Sequence, residues 1–291
     1  MPEGTSVKAL SGFYYVKSDT GAVECRGRGR LRRDGESPLV GDRVEYSVDG
    51  NGKGRVDAIL PRHNRFVRPA VANIDILIAV ASEVNPVTDP FLIDRVTSIA
   101  EHNDCRVIIC INKNDLSDCR RLAEIYAATP YRVIRTSAVT GEGIEELRQE
   151  LTGCVCAFSG NSGVGKSSLM NALSPGLSIE VGQVSDKLGR GRHTTRHVEL
   201  FDLGNAYAAD TPGFASFDVE MMEPIPKDAL PFTFPEFSPY LGRCRFDDCA
   251  HLKEPDCAVR AAVARGDISP SRYESYARLY QISAQYKDWE K

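Results

Sequence analysis

No wholly apolar run in the 291-residue chain exceeds six residues; Ile76–Ala81 and Val107–Ile111 are typical. A helix that crosses a bilayer needs ~20 apolar residues, so no membrane span is expected. The opening MPEGTSVKAL has no basic stretch followed by an apolar core, and no secretory leader is expected from it. An even cysteine count is also missing. Nine cysteines scattered along the chain argue against a disulfide framework and for a reducing cytosol, with thiols free for a metal. Nor is there a strongly basic balance: the formal net charge is −4. That figure hides an asymmetry, because residues 1–70 carry a net +4 and the remainder a net −8. A basic module leaves room for a nucleic-acid partner. No internal repeat or low-complexity tract stands out. The composition is that of an ordinary globular chain, 42% hydrophobic and 26% charged. The length exceeds the usual domain of ~100–200 residues, so two or three domains are expected.

Residues 1–68 read as all-β. Segments 12–16, 22–31, 40–48 and 54–60 have β-branched or aromatic content, and turn clusters such as Ser18-Asp-Thr-Gly21 and Asp49-Gly-Asn-Gly52 separate them. Four or five short strands predict a small barrel, with an OB-fold leading. The stretch Arg26-Gly-Arg-Gly-Arg-Leu-Arg-Arg33 carries five arginines. It is either a phosphate-contacting strand and loop or a solvated edge kept soluble by charge.

Residues 69–220 alternate near-continuous apolar strands (74–81, 106–111, 132–135, 155–158) with helical spacing (90–102, 122–128, 144–151). That alternation predicts a mainly parallel sheet covered on both faces. A hairpin is expected at 198–209. From 221 to 291 the character changes. Five prolines between Pro224 and Pro239 break regular structure, a Cys/His cluster follows, and two helices are expected at 256–265 and from Pro270 to near Trp289.

Gly160-Asn161-Ser162-Gly163-Val164-Gly165-Lys166-Ser167 matches the phosphate-cradle pattern G-x-x-x-x-G-K-[ST]. A strand leads in, and Ser168 continues into a helix. Lys166 would reach the β- and γ-phosphates, and the Ser167 hydroxyl would ligate Mg²⁺. Asn112-Lys113-Asn114-Asp115 follows a strand. The Asp115 carboxylate can accept two hydrogen bonds from guanine's ring N–H and exocyclic amine, a donor pair that adenine lacks. Asp210-Thr-Pro-Gly213 also follows a strand: Asp210 would hold Mg²⁺ through water, and the Gly213 N–H would point at the γ-phosphate. Between cradle and Asp210 lies Gly189-Arg-Gly-Arg-His-Thr-Thr-Arg196, a candidate switch segment. Thr195 is the expected second hydroxyl on Mg²⁺, with Thr194 the alternative.

Cys244, Cys249, His251 and Cys257 offer three thiolates and an imidazole within fourteen residues. Four such donors suit a closed, structural Zn²⁺ site. The other six cysteines read as core residues. So do Tyr273, Tyr276 and Tyr280, which share one helix face. The basic side chains beside the cluster (Arg243, Arg245, Lys253 and Arg260) either touch RNA or offset the thiolate charge.

These motifs resemble the TRAFAC GTPases, in which a small-residue loop like Thr136-Ser137-Ala138 contacts the guanine oxygen. Their order is shifted, because the base reader and Ser137-Ala138 precede the cradle. That is a circular permutation. A permuted GTPase between a β-barrel and a Cys/His module is identified as a member of the ribosome-small-subunit-dependent GTPase family, RsgA. The opening stretch from Lys8 to Val16 also resembles that family's first strand. The resemblance implies a multidomain α/β protein: an OB-fold barrel (1–68), a permuted P-loop GTPase domain (69–220) and a zinc-binding helical module (221–291). It implies a monomeric cytoplasmic factor that binds the 30S subunit and 16S rRNA, exchanges GTP and GDP, and hydrolyses GTP under 30S stimulation. The competing readings are a GTP-gated binding module with negligible turnover and an ATPase acting on nucleic acid. Many GTPases place Gln after the DxxG motif to orient the attacking water. Phe214 stands there in this chain, so His193 is the candidate to orient that water, unless it only shapes its loop or contacts rRNA.

Overall fold

The computed structural model describes residues 1–19, 21–27, 37–66, 70–174, 176–177, 179, 198–210 and 225–285. The expected domain boundaries at 68 and 220 lie outside them.

Five strands build the first domain: β1 (Glu3–Leu10), β2 (Phe13–Ser18), β3 (Gly21–Gly27), β4 (Arg43–Val48) and β5 (Gly54–Ile59). Their order β1-β2-β3-β5-β4 closes through β1–β4 into an OB-like barrel. Alternation drives the closure. Tyr14, Val16, Cys25, Val44, Tyr46 and Val56 point inward and form its small core. The stretch from Lys8 to Val16 is two strands, not one. Ser11 and Gly12 both adopt positive φ and turn the chain back.

The linker from barrel to central domain is braced. Strands β6 (Arg65–Phe66) and β7 (Val71–Ala72) pair antiparallel. Asn64 mimics a strand partner for Ile74, donating from Nδ2 to its carbonyl at 2.8 Å and accepting its N–H at 3.0 Å. Arg62 clasps buried Asp42 through Nε and Nη2 at 2.6 and 2.7 Å. Gly41 packs so closely that a Cβ would lie 1.9 Å from the Ala72 carbonyl oxygen, so no other residue fits.

The central domain contains β8 (Ile76–Ala81), β9 (Arg106–Asn112), β10 (Arg132–Thr136), β11 (Val155–Ser159), β12 (Val198–Asp202) and β13 (Tyr207–Asp210). Its order is β10-β9-β8-β11-β13-β12, parallel throughout except that β12 runs antiparallel to β13. Helices α1 (Pro90–His102) and α2 (Arg120–Tyr126) cover one face, and α3 (Ile144–Leu151) and α4 (Lys166–Leu173) the other. Burial on both faces explains why the strands read as continuous apolar runs. Helix α1 begins where Asp89 caps the Phe91 N–H and Pro90 takes the first position. Strand β12 also pairs with barrel strand β1, placing Lys8 opposite Glu199. One eleven-stranded sheet thus runs through both domains.

In the third module two 3-10 turns (Leu230–Thr233, Pro235–Phe237) precede α5 (Ala258–Arg265) and α6 (Pro270–Ser283). Tyr276 meets Phe234 and Phe237 edge-on at 5.4 and 4.9 Å. Arg272 on α6 is fully buried. It donates to Asp94 of α1 at 2.8 Å and to Glu236 at 2.7 Å.

Candidate nucleotide and metal sites

The parallel strands β8, β9, β10, β11 and β13 all end at one edge of the sheet, where ligands of open α/β sheets bind. The loop after β11 is the cradle, residues 160–165. Lys166 opens α4 and folds back over that loop, its Nζ donating to the carbonyls of Gly160 (2.6 Å) and Asn161 (2.9 Å). Ser167 and Ser168 follow in the first turn of α4. The N–H groups of a first helical turn have no intrahelical acceptors, and with the helix dipole they favour an anion there.

Asn112, the last residue of β9, ties the base-reading segment to the cradle. Its Nδ2 donates to the Val164 carbonyl at 2.8 Å. Its Oδ1 accepts from Thr136 Oγ1 at 3.2 Å and from the Ala138 N–H at 3.4 Å. Gly165 makes room for this contact: with φ +101°, a Cβ there would sit 2.3 Å from Asn112 Nδ2. Ser137 shapes the neighbouring loop, its Oγ accepting the N–H groups of Val139 and Thr140 at 3.2 and 3.1 Å. Three motifs separated in sequence thus meet around one side chain. Asp115 lies exposed on the rim. Lys113 adopts φ 69° and donates from Nζ to the Asn85 carbonyl at 2.6 Å.

Asp210 ends β13, whose neighbour β11 leads into the cradle, so the two segments leave the sheet side by side. His193, Thr194, Thr195, Gly213 and Phe214 lie outside the described residues, as do Arg28, Arg30, Arg32 and Arg33. Of the arginine stretch, Arg26 lies on β3 with its guanidinium over the Phe13 ring.

The ligating atoms of Cys244, Cys249, His251 and Cys257 all lie within 4.8 Å of one another. The Sγ atoms of Cys244 and Cys257 each approach His251 Nδ1 to 3.5 Å. Tyr276 and Tyr273 hold the backbone here, donating from their hydroxyls to the carbonyls of Ala250 and His251. Burial pushes the Cys249 thiol up to about 12 and holds His251 below its usual value. Three thiols and an imidazole gathered this closely are the donor set from which a metal displaces protons. Three sulfurs and one nitrogen at this separation fit one tetrahedral Zn²⁺.

Sequence reasoning missed two features. One is Arg272, whose partners lie far away in the chain. The other is the loop after β8, where Asn85 contacts the Asn112–Asp115 segment and Glu83 contacts Ser117 and Leu122 beyond it.

The sequence pattern of the family described as RsgA GTPase matches residues 59–220, and that of the RsgA N-terminal domain matches residues 3–56. The chain is 45% identical over 287 residues to the small ribosomal subunit biogenesis GTPase RsgA of Bacillus cytotoxicus, covering 97% of each chain. It is 43% identical to the protein of that name from Caldanaerobacter subterraneus, over 95% of this chain and 94% of the relative. Among solved structures, YjeQ from Thermotoga maritima matches with TM-score 0.84 and 36% identity, over 98% of this chain and 99% of that one. YloQ, described as a circularly permuted GTPase, matches at 0.81 and 36%, over 99% and 96%.

Proposed function

The chain belongs to the RsgA GTPase family, and on that premise we propose that its nucleotide state times its stay on the 30S subunit during late assembly. As a GTPase it converts GTP and water to GDP and phosphate. The observation that carries the reading is the Asn112 cluster, which joins cradle, base reader and small-residue loop in permuted sequence order.

In this reading Asp115 accepts guanine's two donors while the Ala138 N–H exchanges its long bond to Asn112 Oδ1 for the guanine oxygen. Asn112 and Lys113 set that pocket. The backbone of residues 160–165 cradles the phosphates, and Lys166 exchanges its carbonyl partners for the β- and γ-phosphates. Ser167, Asp210 and Thr195 hold Mg²⁺, which offsets phosphate charge. The Gly213 N–H senses the γ-phosphate, and His193 orients the attacking water. Loss of the γ-phosphate releases the segments before β12 and after β13. The barrel and the zinc module contact 16S rRNA in the cytoplasm, the protein acting as a monomer.

The test is GTP hydrolysis across a titration of purified 30S subunits. Turnover that rises and saturates with 30S supports the reading. Turnover that stays flat while GTP-dependent binding persists identifies a GTP-gated module instead.

A further inference from the structure

The loop between β8 and α1, residues 82–89, belongs to none of the nucleotide motifs, yet it touches both the base-reading segment and the cradle. We infer that Glu83 is a positioning residue for guanine recognition, acting through the segment that carries Asp115. The inference rests on Asp115 being the base reader.

Asp115 is exposed, so packing does not locate it. Backbone and side-chain bonds to β10 and the cradle hold the residues just before it, the Asn114 N–H donating to the Thr136 carbonyl at 3.1 Å, and two further tethers, one on either side in the chain, come from this loop. Before Asp115, Lys113 Nζ donates to the Asn85 carbonyl at 2.6 Å. After it, the Glu83 carboxylate accepts the Leu122 N–H at 2.7 Å and the Ser117 hydroxyl at 3.3 Å. Ser117 Oγ in turn accepts the Cys119 N–H at 3.3 Å. Leu122 is the third residue of α2, the place where a capping side chain normally reaches. The residue at the local cap position, Cys119, is left-handed and makes no side-chain cap. Glu83 therefore supplies the cap from 39 residues away.

The loop is stiff enough to serve as an anchor. Thr88 and Ser82 close it: the Ser82 N–H donates to Thr88 Oγ1 at 3.0 Å, the Thr88 N–H to the Ser82 carbonyl at 2.8 Å, and both residues are fully buried. Pro86 lies against the cradle, 3.4 Å from where a Cβ on Gly163 would stand. One short segment thus references the base reader to the phosphate loop. Two hydrogen bonds to a planar base edge tolerate little misalignment. An anchor of this kind should therefore appear in base selectivity and not only in stability.

The experiment compares equilibrium affinities for GTP and ITP. Hypoxanthine lacks the exocyclic amine, so Asp115 keeps one of its two hydrogen bonds with ITP. In Glu83→Ala the preference for GTP over ITP is expected to fall about tenfold, the scale of one hydrogen bond to a charged group. Glu83→Gln should retain the preference, because its carbonyl can accept from Leu122 and its amide can donate to Ser117. Ser117→Ala, which keeps the Leu122 bond, should narrow the preference less than Glu83→Ala. Equal losses for GTP and ITP in Glu83→Ala overturn the positioning role and leave Asp115 as base reader. A wild-type protein that binds both nucleotides equally overturns the base-reading assignment and this inference together.

Discussion

The central domain is joined to its two neighbours by seams of opposite chemistry. Towards the Cys/His module the joint is a buried charge cluster: Arg272, Asp94 and Glu236 are sealed from solvent, with Thr97 Oγ1 also accepting from Arg272 and Phe234 lying under the guanidinium. Towards the barrel it is a short antiparallel ladder between β1 and β12, carrying the half-buried pair Lys8–Glu199 at 2.8 Å, with the exposed pair Lys17–Asp202 at 2.5 Å nearby. The braced linker also holds the barrel from the other side. A buried pair is worth little when intact but is expensive to break, whereas exposed pairs are weak and screened by salt. The Cys/His module is therefore a fixed extension of α1. The barrel seam is the adjustable one, and it lies on the strand between the candidate switch segment and Asp210.

The largest perturbation of the rigid side is metal loss. Structural zinc contributes ~10–16 kcal/mol in isolated zinc-finger peptides, an upper bound for a module that also packs on α1. Chelation, or Cys249→Ser, is expected to release the Tyr273 and Tyr276 anchors and melt residues 225–285, while the barrel keeps its own transition. Calorimetry with metal content by mass spectrometry checks this. Fewer than about half a zinc per chain in protein prepared without chelator would refute the site.

Next in size is Arg272→Ala, which leaves two carboxylates facing each other without a cation. Burial already raises the Asp94 carboxyl above its usual range against the pull of Arg272. The expected loss is about 3–5 kcal/mol, read as a lowered urea midpoint. The triple change Arg272→Met, Asp94→Leu, Glu236→Leu should recover much of it, because apolar replacement removes the buried charge altogether. Recovery that fails would mean the cluster orients α6 on α1 as well as satisfying itself.

The sequence announced neither seam, although it announced the motifs between them. The segments 160–167 and 112–115 and the Cys/His cluster were legible because each combines particular residue types at short spacing. The mainly parallel sheet followed from apolar strands alternating with helical spacing, although its strand order did not, and β1 was merged with β2 across the turn at Ser11-Gly12. Arg272 was illegible: its partners are 36 and 178 residues away, so on the helix it looks like any solvated arginine. The β1–β12 ladder joins residues 191 apart in the case of Lys8 and Glu199, and no local pattern encodes such a pairing. Glu83 failed to register for the same reason, since its capping role belongs to a helix in a different part of the chain.

On the adjustable side the expected effects are smaller. Lys8→Ala and Lys17→Ala should each cost under ~1 kcal/mol, with changes confined to amide exchange in β1 and β12. Raising salt from about 0.05 M to about 0.5 M should speed exchange in the same strands and leave α1 and α6 unchanged, because screening reaches exposed charges and spares buried ones. Equal sensitivity at both seams would erase the contrast.

The smallest effect is a pH dependence restricted to the barrel seam. The Lys17 ammonium beside Asp202 is the main cause that holds its carboxyl below the usual range, and the Gly204 N–H adds to it. Lys17 is raised in turn, by Asp202 first and by Tyr207, over whose ring its Nζ lies at 5.1 Å. A depressed carboxyl contributes stability above its unfolded value of about 3.9, and loses it as pH falls through the lower folded value. A raised lysine contributes below its unfolded value of about 10.4, and loses it as pH rises past the folded value. The pair should therefore hold its full effect between about pH 5 and 9 and fade at both ends. Both side chains are partly exposed, so the change stays under ~1 kcal/mol. Acid also acts on other titratable groups, so the informative quantity is the difference between wild type and Asp202→Asn. Amide exchange in β12 measured from pH 5 down to 3 should accelerate more in the wild type than in Asp202→Asn, which has no carboxylate to protonate. Parallel curves for the two proteins would show that the ladder, and not the Lys17–Asp202 pair, holds this seam.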